Sequence, residues 1–315
     1  MILVVTHSQD LGADPVIRHL QQRGASYLRM NSDELGTPSC RIAVGADGPV
    51  LDCRGRCVAA AGIDSVWYRR FARPAVLEDV APAYRDFVAR ELATALDGFL
   101  ESIPGLQVNG FEADRLAGNR LLQAARAQQA GFRVPATLLT QDPDAARAFV
   151  AAHGAVVTKA ISFGALGDPA GQVAYTSVVG GDADWSGLAV CPGLFQERVA
   201  KRREWRLTTV GRHVFAARTR AGATVHPIDW RRSEAPDTIF EAAALPAEVA
   251  RMILSLCARS ALLFATHDLI ETPAGDFCFL ETNPAGQWGW LERGAGLPIA
   301  ATLAGLLDDR DRARG

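Results

Sequence analysis

The residues of this chain best equipped for chemistry lie in the stretch Asp276-Phe-Cys-Phe-Leu-Glu-Thr-Asn-Pro284. Read as a strand, its alternate side chains project together, which puts Phe277, Phe279, Glu281 and Asn283 on one face. Two oxygen donors two residues apart on one face suit a hard cation such as Mg²⁺. Asp268 belongs to the preceding strand of a hairpin that turns through 272–276, opposite Leu280 or Glu281, and offers a third oxygen. The plainer reading is a surface strand with ordinary polar residues. A carboxylate that follows directly on an apolar run is costly to bury unless paired or metal-bound, so the metal reading is favoured.

Lys159 closes the apolar run Val156-Val157-Thr158 and precedes a stretch, 162–172, that holds Gly164, Gly167, Pro169 and Gly171. A lysine delivered by a strand beneath a mobile glycine loop can neutralise phosphates while backbone N–H groups close over them. The loop does not match the GxxxxGK[ST] pattern, and taken alone Lys159 reads more readily as a solvated strand-end lysine. In Phe195-Gln-Glu-Arg-Val-Ala-Lys-Arg-Arg-Glu-Trp-Arg206, the main chain through Gln196, Glu197 and Val199 can meet an adenine edge. Glu204 and Arg206 can then offer a carboxylate to a ribose and a cation to a phosphate. By itself this segment is also a charged surface hairpin. Arg218 and Arg220, on the following strand, are candidates for an anionic substrate, Arg218 for a carboxylate or its phosphorylated form. His226, Asp229 and Arg231 occupy a loop placed to lie over the site. Arg69 and Arg70, after the strand Ser65–Tyr68, either hold an acidic substrate or cap a surface. Trp288 and Trp290 stack a peptide or pack between domains, and His7 is structural in the simpler reading.

These side chains need a scaffold. Ile2–Thr6 is a continuous apolar run, the mark of a strand buried on both faces of a parallel sheet. Val16, Ile17 and Leu20 predict a helix over 14–23, and 26–30 is the next strand, without the GxGxxG turn of a dinucleotide site. A hairpin turns at Asp47-Gly48. A long amphipathic helix covers 82–103 and ends at Pro104-Gly105. A boundary falls at Leu106. One helix spans 112–130 and stops at Gly131; then come the strand Thr137–Thr140, an Asp-capped helix over 142–153 and a strand over 155–160. Strands dominate from 194 onward, with one helix over 246–260. The residues 308–315 are a charged tail expected to fray. The fold class is therefore α/β, with α+β character later in the chain. An open parallel sheet flanked by helices (1–105) precedes two mixed α+β subdomains, 106–190 with the glycine loop and 191–310 with the metal site, and a tail at 311–315.

Bulk properties narrow the classes further. At 315 residues the chain needs more than one core, and 49% hydrophobic against 22% charged residues excludes disorder. A formal net charge of −2 argues against a nucleic-acid partner. Of six cysteines only Cys53 and Cys57 are close in sequence, and nothing completes a zinc site. No apolar run reaches the ~20 residues that span a bilayer, and no secretion signal is evident, so a soluble, cytoplasmic protein with no membrane partner is expected.

Lys159, the 196–206 segment, Asp268 and Glu281-Thr-Asn283 follow the order found in the ATP-grasp superfamily. Adding Trp67-Tyr-Arg-Arg70, Glu204-Trp-Arg206, Asp229-Trp-Arg231 and Glu281-Thr-Asn-Pro-Ala-Gly-Gln-Trp-Gly-Trp-Leu-Glu292, the chain resembles the graspetide (microviridin-type) peptide synthetases over nearly its whole length. That resemblance implies two subdomains clasping ATP with Mg²⁺, and a leader-dependent ribosomal precursor peptide with an acidic core as partner. It implies Asp or Glu side chains activated as acyl phosphates and attacked by Ser, Thr or Lys. It also implies Arg120 as a phosphate ligand, where the family commonly has lysine after the asparagine, and a homodimer. The family's usual Asn-Pro-Asn-Gly-Gln-Trp is here Asn283-Pro-Ala-Gly-Gln-Trp288. Two other readings share the residues: an ATP-grasp ligase for a small metabolite or protein tail, and a nucleotide-binding scaffold without catalysis. No residue stands out as a dedicated general base.

Overall fold

The computed structural model describes residues 1–46, 48–161, 175–233 and 235–309. The expected glycine loop at 162–172, Asp47 of the first hairpin turn and the tail 311–315 lie outside the described residues. Among the described residues the strands form four sheets. The first is parallel, in the order β2-β1-β6-β7, and is built from β1 (Ile2–Thr6), β2 (Tyr27–Asn31), β6 (Ser65–Tyr68) and β7 (Leu106–Val108). Its strands are apolar on both faces because both are covered. Ile2 and Val4 point to a core with Val16 and Leu20 of α1 (Asp14–Gln22); Leu3 and Val5 point to Leu96, Phe99 and Leu100 of α2 (Arg85–Glu101). A three-stranded meander, β3 (Cys40–Gly45), β4 (Gly48–Cys53) and β5 (Arg56–Ala59), extends the α2 side.

Where one helix over 112–130 was expected there are two, α3 (Phe111–Ala117) and α4 (Arg120–Gln129). Asn119 takes extended backbone angles and its side chain accepts the N–H groups of Leu121 and Leu122, which starts a new helix instead of continuing the old one. The correction matters, because it moves Arg120 from mid-helix to a helix N-terminus. The next sheet is antiparallel, in the order β10-β9-β11-β8, from β8 (Thr137–Thr140), β9 (Val156–Lys159), β10 (Ser177–Val179) and β11 (Gly193–Glu197), with α5 (Pro143–His153) packed on one face. β11 was expected in the 191–310 unit, yet it hydrogen-bonds between β8 and β9 of this sheet.

The last sheet is antiparallel, β14-β13-β12-β15-β16, from β12 (Arg203–Val210), β13 (His213–Thr219), β14 (Phe240–Ala242), β15 (Phe264–Glu271) and β16 (Phe277–Asn283). One face packs on α4 and α6 (Ala247–Arg259) through Trp205, Leu207, Leu269 and Phe279. The chain then returns through α7 (Gly289–Ala295) and α8 (Ile299–Leu307). The α8 residues Leu303 and Leu307 share a core with α1, the parallel sheet and Val210 of β12. Asp308, expected in a frayed tail, is held by Arg23 at 2.9 Å.

Asn109 joins the parallel sheet to the last one. Its amide donates to the Phe264 carbonyl at 2.8 Å and the Pro284 carbonyl at 3.4 Å, and its oxygen accepts from the Leu263 and Phe264 N–H groups at 2.9 and 3.0 Å. The residue is 2% exposed, so water cannot replace these partners. Truncation by Asn109→Ala should cost about 3 kcal/mol, the penalty for orphaned buried backbone groups, read as a lowered urea midpoint.

Candidate active site

Between the second and last sheets runs a cleft of about 840 Å³, part of it open to solvent. On β9, Val156 and Thr158 face α5, so Val157 and Lys159 face the cleft, together with Gln196 of β11. Gln196 is buried and donates to Thr137 Oγ1 at 3.0 Å. Glu197 turns its carboxylate toward Arg133 (3.4 Å) and the Ala136 N–H (3.3 Å), which leaves its main chain to the cleft. Val199, Ile270 and Leu280 line an apolar slot in the same cleft, backed by the buried Cys278. A flat ring fits such a slot better than a charged group does.

The last sheet supplies the charged wall. β15 and β16 pair Asp268 with Glu281 but Leu269 with Phe279, so Leu280 is the extra residue of a β-bulge. Strict alternation would place Glu281 beside Phe277 and Phe279. The bulge instead leaves Phe279 in the core with Leu269 and turns Glu281 to the face of Asp268 and Arg206. The expectation of one shared face for Phe279 and Glu281 is thereby corrected. The expected trio survives it: Asn283 donates to Glu281 Oε1 at 3.1 Å, and Asp268 stands opposite Glu281.

Each carboxylate has a cation. Arg206 Nη1 binds Asp268 Oδ2 at 2.6 Å, and Arg120, at the start of α4, pairs with Glu281. Burial raises the Glu281 carboxyl, but Arg120 and Lys159 beside it prevail and hold it well below the usual range. Burial pushes Asp268 up, and Arg206 offsets this only in part. The Lys159 ammonium donates to the Leu280 carbonyl at 3.5 Å; burial dominates and lowers its pKa to about 8. Glu204 is paired with Lys201, and burial keeps its carboxyl above the usual range. The loop after β13 lies over the cleft, with Pro227, Ile228 and Asp229 among its lining. Asp229, nearly buried, accepts from Arg231 Nη2 at 2.6 Å, and Arg231 in turn feels the charges of Glu281 and Asp268.

The residues present fit a magnesium-bound nucleotide. Among the described residues no three His, Cys, Asp or Glu gather as a metal cluster. Two carboxylates and an amide oxygen are nonetheless the hard, incomplete donor set that Mg²⁺ uses when phosphate and water fill the remaining positions. The Nε of Arg206 is buried with no hydrogen-bond partner among the described residues.

Comparison with known proteins agrees with this geometry. Residues 1–115 match a family profile described as the MvdD pre-ATP grasp domain. The chain superposes on a Chryseobacterium gregarium RiPP-associated ATP-grasp ligase, solved in complex with ADP and a leader and core peptide, with TM-score 0.86 and 28% identity over 98% of this chain and 96% of that one. The macrocyclase MdnC of Microcystis aeruginosa MRC, bound with precursor peptide MdnA, superposes with TM-score 0.86 and 25% identity over 98% and 99% of the two chains. The fold is that of an ATP-grasp ligase. The ATP-grasp ligase PsnB, solved with a phosphomimetic variant of its minimal precursor, Mg and ADP, shares the fold at TM-score 0.77 and 21% identity over 98% of each chain. A comparison with curated proteins finds no match. No described helix is long and apolar enough to cross a membrane.

Within this ATP-grasp fold the sequence candidates divide. Lys159, Gln196, Glu197, Val199, Glu204, Asp229, Arg231, Asp268 and Glu281 line the cleft, with Arg206 adjoining through Asp268, and Arg120 and Asn283 through Glu281. Arg218 does not. It pairs across the sheet with Trp205, whose ring faces the α6 core, and it bonds Glu241 at 3.3 Å. Arg69 is 1% exposed, lies outside the cleft lining and binds the Ala285 carbonyl and Gln287 Oε1 beside Asp10; Arg70 follows it, half-buried. Trp290 packs with Trp230 and Phe240, centroids 5.0 and 5.2 Å away, and fastens the cleft loop to α7.

Sequence reasoning missed His267. It is fully buried behind Asp268, with Nε2 3.2 Å from Thr209 Oγ1 and Nδ1 2.9 Å from Thr282 Oγ1. Its only sequence signal is a polar residue at an inward position of a buried strand. Burial, aided by Arg206, pushes its pKa down to about 3 from an ordinary 6.5. The neutral ring is the folded form, so stability is complete above pH 6.5 and is lost as pH falls toward 3, where the unfolded chain takes up a proton the folded chain refuses. We expect this group to contribute about 1.4 kcal/mol of lost stability per pH unit in that window, and His267→Asn to flatten the slope in urea titrations at stepped pH.

Proposed function

We propose that this protein is an ATP- and Mg²⁺-dependent ligase that activates Asp or Glu side chains of a ribosomally made precursor peptide as acyl phosphates. It then closes ester or amide rings with Ser, Thr or Lys of the same peptide. The observation that carries the reading is the convergence of Asp268, Glu281 and Asn283 with Arg120, Lys159 and Arg206 in one cleft, in a chain that resembles precursor-peptide ligases from end to end. Carboxylate is a poor electrophile, and its activation by phosphoryl transfer is chiefly a matter of positioning and charge neutralisation.

In this reading the apolar slot of Val199, Ile270 and Leu280 takes the adenine, with main-chain groups at Glu197 and Val199 along its edge. Glu204 orients the ribose. Asp268, Glu281 and Asn283 would hold Mg²⁺, which would supply charge neutralisation for the phosphates. Lys159, Arg120 and Arg206 line the phosphate path, and each already stands beside a carboxylate that fixes its position. The loop around Asp229 and Arg231, clamped by Trp230 and Trp290, roofs the cleft and limits water, against which an acyl phosphate must be protected. Arg231 and Arg70 are the cations we assign to the acidic peptide. An ATP-consuming enzyme with six free cysteines suits the cytoplasm.

The test is direct. Purified protein, ATP, Mg²⁺ and the short peptide encoded beside its gene should yield peptide lighter by one water per ring, read by intact mass. Glu281→Ala should slow the reaction about a thousandfold, some 4 kcal/mol of barrier. Unchanged peptide mass, with ADP released only when free amino acids or small acids are supplied, would replace the peptide by a small-molecule acceptor.

A further inference from the structure

The parallel sheet has its topological switch point between β1 and β6: β2 lies to one side of β1, β6 and β7 to the other. In open α/β sheets the crevice at the carboxyl ends of such strands is where ligands settle. Here the chain's own segment from Pro284 to Gln287 is gripped there. Asp10, beyond the end of β1, and Arg69, directly after β6, flank the crevice. Arg69 Nη1 donates to the Ala285 carbonyl at 2.7 Å and Nη2 to Gln287 Oε1 at 3.1 Å, while its Nε lies 3.7 Å from Asp10 Oδ2. Asp10 is itself fixed by Thr6 Oγ1 at 2.6 Å and the Gly12 N–H at 2.9 Å. From this anchored segment the Gln287 carbonyl accepts from Arg206 Nη2 at 3.3 Å, and the other arm of Arg206 holds Asp268.

We propose that Arg69 is a positioning residue for nucleotide binding, acting through the Gln287 main chain on Arg206 and so on Asp268. The inference rests on the reading of the cleft as the Mg·ATP site. Its physical basis is that a guanidinium is a rigid fork. Arg69 spans two acceptors two residues apart and thereby sets where the Gln287 carbonyl stands. A lysine in its place keeps the charge beside Asp10 but cannot reach both Ala285 and Gln287. Arg206 then loses a fixed acceptor on one side, and its contact to Asp268 and its reach toward phosphate loosen. A fully buried arginine is rare, and this one is used on the Ala285 carbonyl and the Gln287 side chain, just after Asn283.

The experiment compares wild type and Arg69→Lys by calorimetric titration with ATP and Mg²⁺, beside melting temperature and steady-state kinetics. We expect Arg69→Lys to melt with the wild type, to bind ATP about tenfold more weakly, the worth of one hydrogen bond to a charged group, and to show the loss in KM for ATP more than in kcat. If Arg69→Lys melts early, the pair Asp10→Asn with Arg69→Gln, which leaves no buried charge unmatched, carries the same comparison. A folded variant of either kind with wild-type ATP affinity overturns the assignment. Wild-type protein that binds no ATP at all would instead overturn the reading of the cleft on which the assignment rests.

Discussion

Two mostly buried carboxylates directly opposite one another on neighbouring strands are the constraint around which this molecule is arranged. Asp268 and Glu281 repel each other and each is costly to desolvate. The fold meets both costs with cations from separate parts of the chain. Arg206 comes from β12, which pairs with β15 on the side away from β16 and sets Arg206 directly opposite Asp268. Arg120 comes from the first turn of α4, where the helix N-terminus adds its own positive end. The cap at Asn119 is therefore an electrostatic device as much as a helix start: it sets the direction from which Arg120 reaches Glu281. Packing of α4 on the sheet follows, with Gln123 bonding the Thr282 carbonyl at 2.8 Å and accepting its N–H at 3.0 Å.

How far the site is legible in the sequence depends on whether period and parity are enough. Lys159 and the Glu281/Asn283 pair stand out because an apolar strand run into charge is rare and period-two alternation is strict. The bulge at Leu280 is invisible to the same rule, since one extra residue leaves composition unchanged while reversing every face beyond it. It happens to leave Glu281 and Asn283 together and to move only the phenylalanines away from them. The helix break is legible: Gly118-Asn119 is a stop followed by a cap. Arg218 is legible too. The turn at Gly211-Arg212 is a two-residue hairpin with Gly211 at positive φ, so Arg206 must pair with Ala217, and Arg218 must face the other way.

What cannot be read is any contact made across large separations. Arg69 and Gln287 are 218 positions apart, and Asn109 and Phe264 are 155 apart. Two adjacent arginines at a strand end look alike in sequence, and only the tertiary structure separates a buried Arg69 from a half-buried Arg70. The residues after Asn283 look like an ordinary loop with a proline and a glycine. In the structure Gly286 lies so close to Thr266 that any side chain would collide with it, which shows how tightly this loop is pressed against β15.

The same pressing explains why the parallel sheet belongs to the site even though none of its side chains enters the cleft. Its carboxyl edge is closed by the loop that leaves β16, and Arg69 and Asn109 hold that loop on opposite sides. A strand that ends in the proposed metal donors needs its far end fixed, because a displaced Asn283 would shift Glu281 through their shared hydrogen bond. Covalent continuity fixes it on one side only. The remaining freedom is removed by hydrogen bonds from a second sheet, so the charged wall of the cleft has the rigidity of two sheets and not of one edge strand.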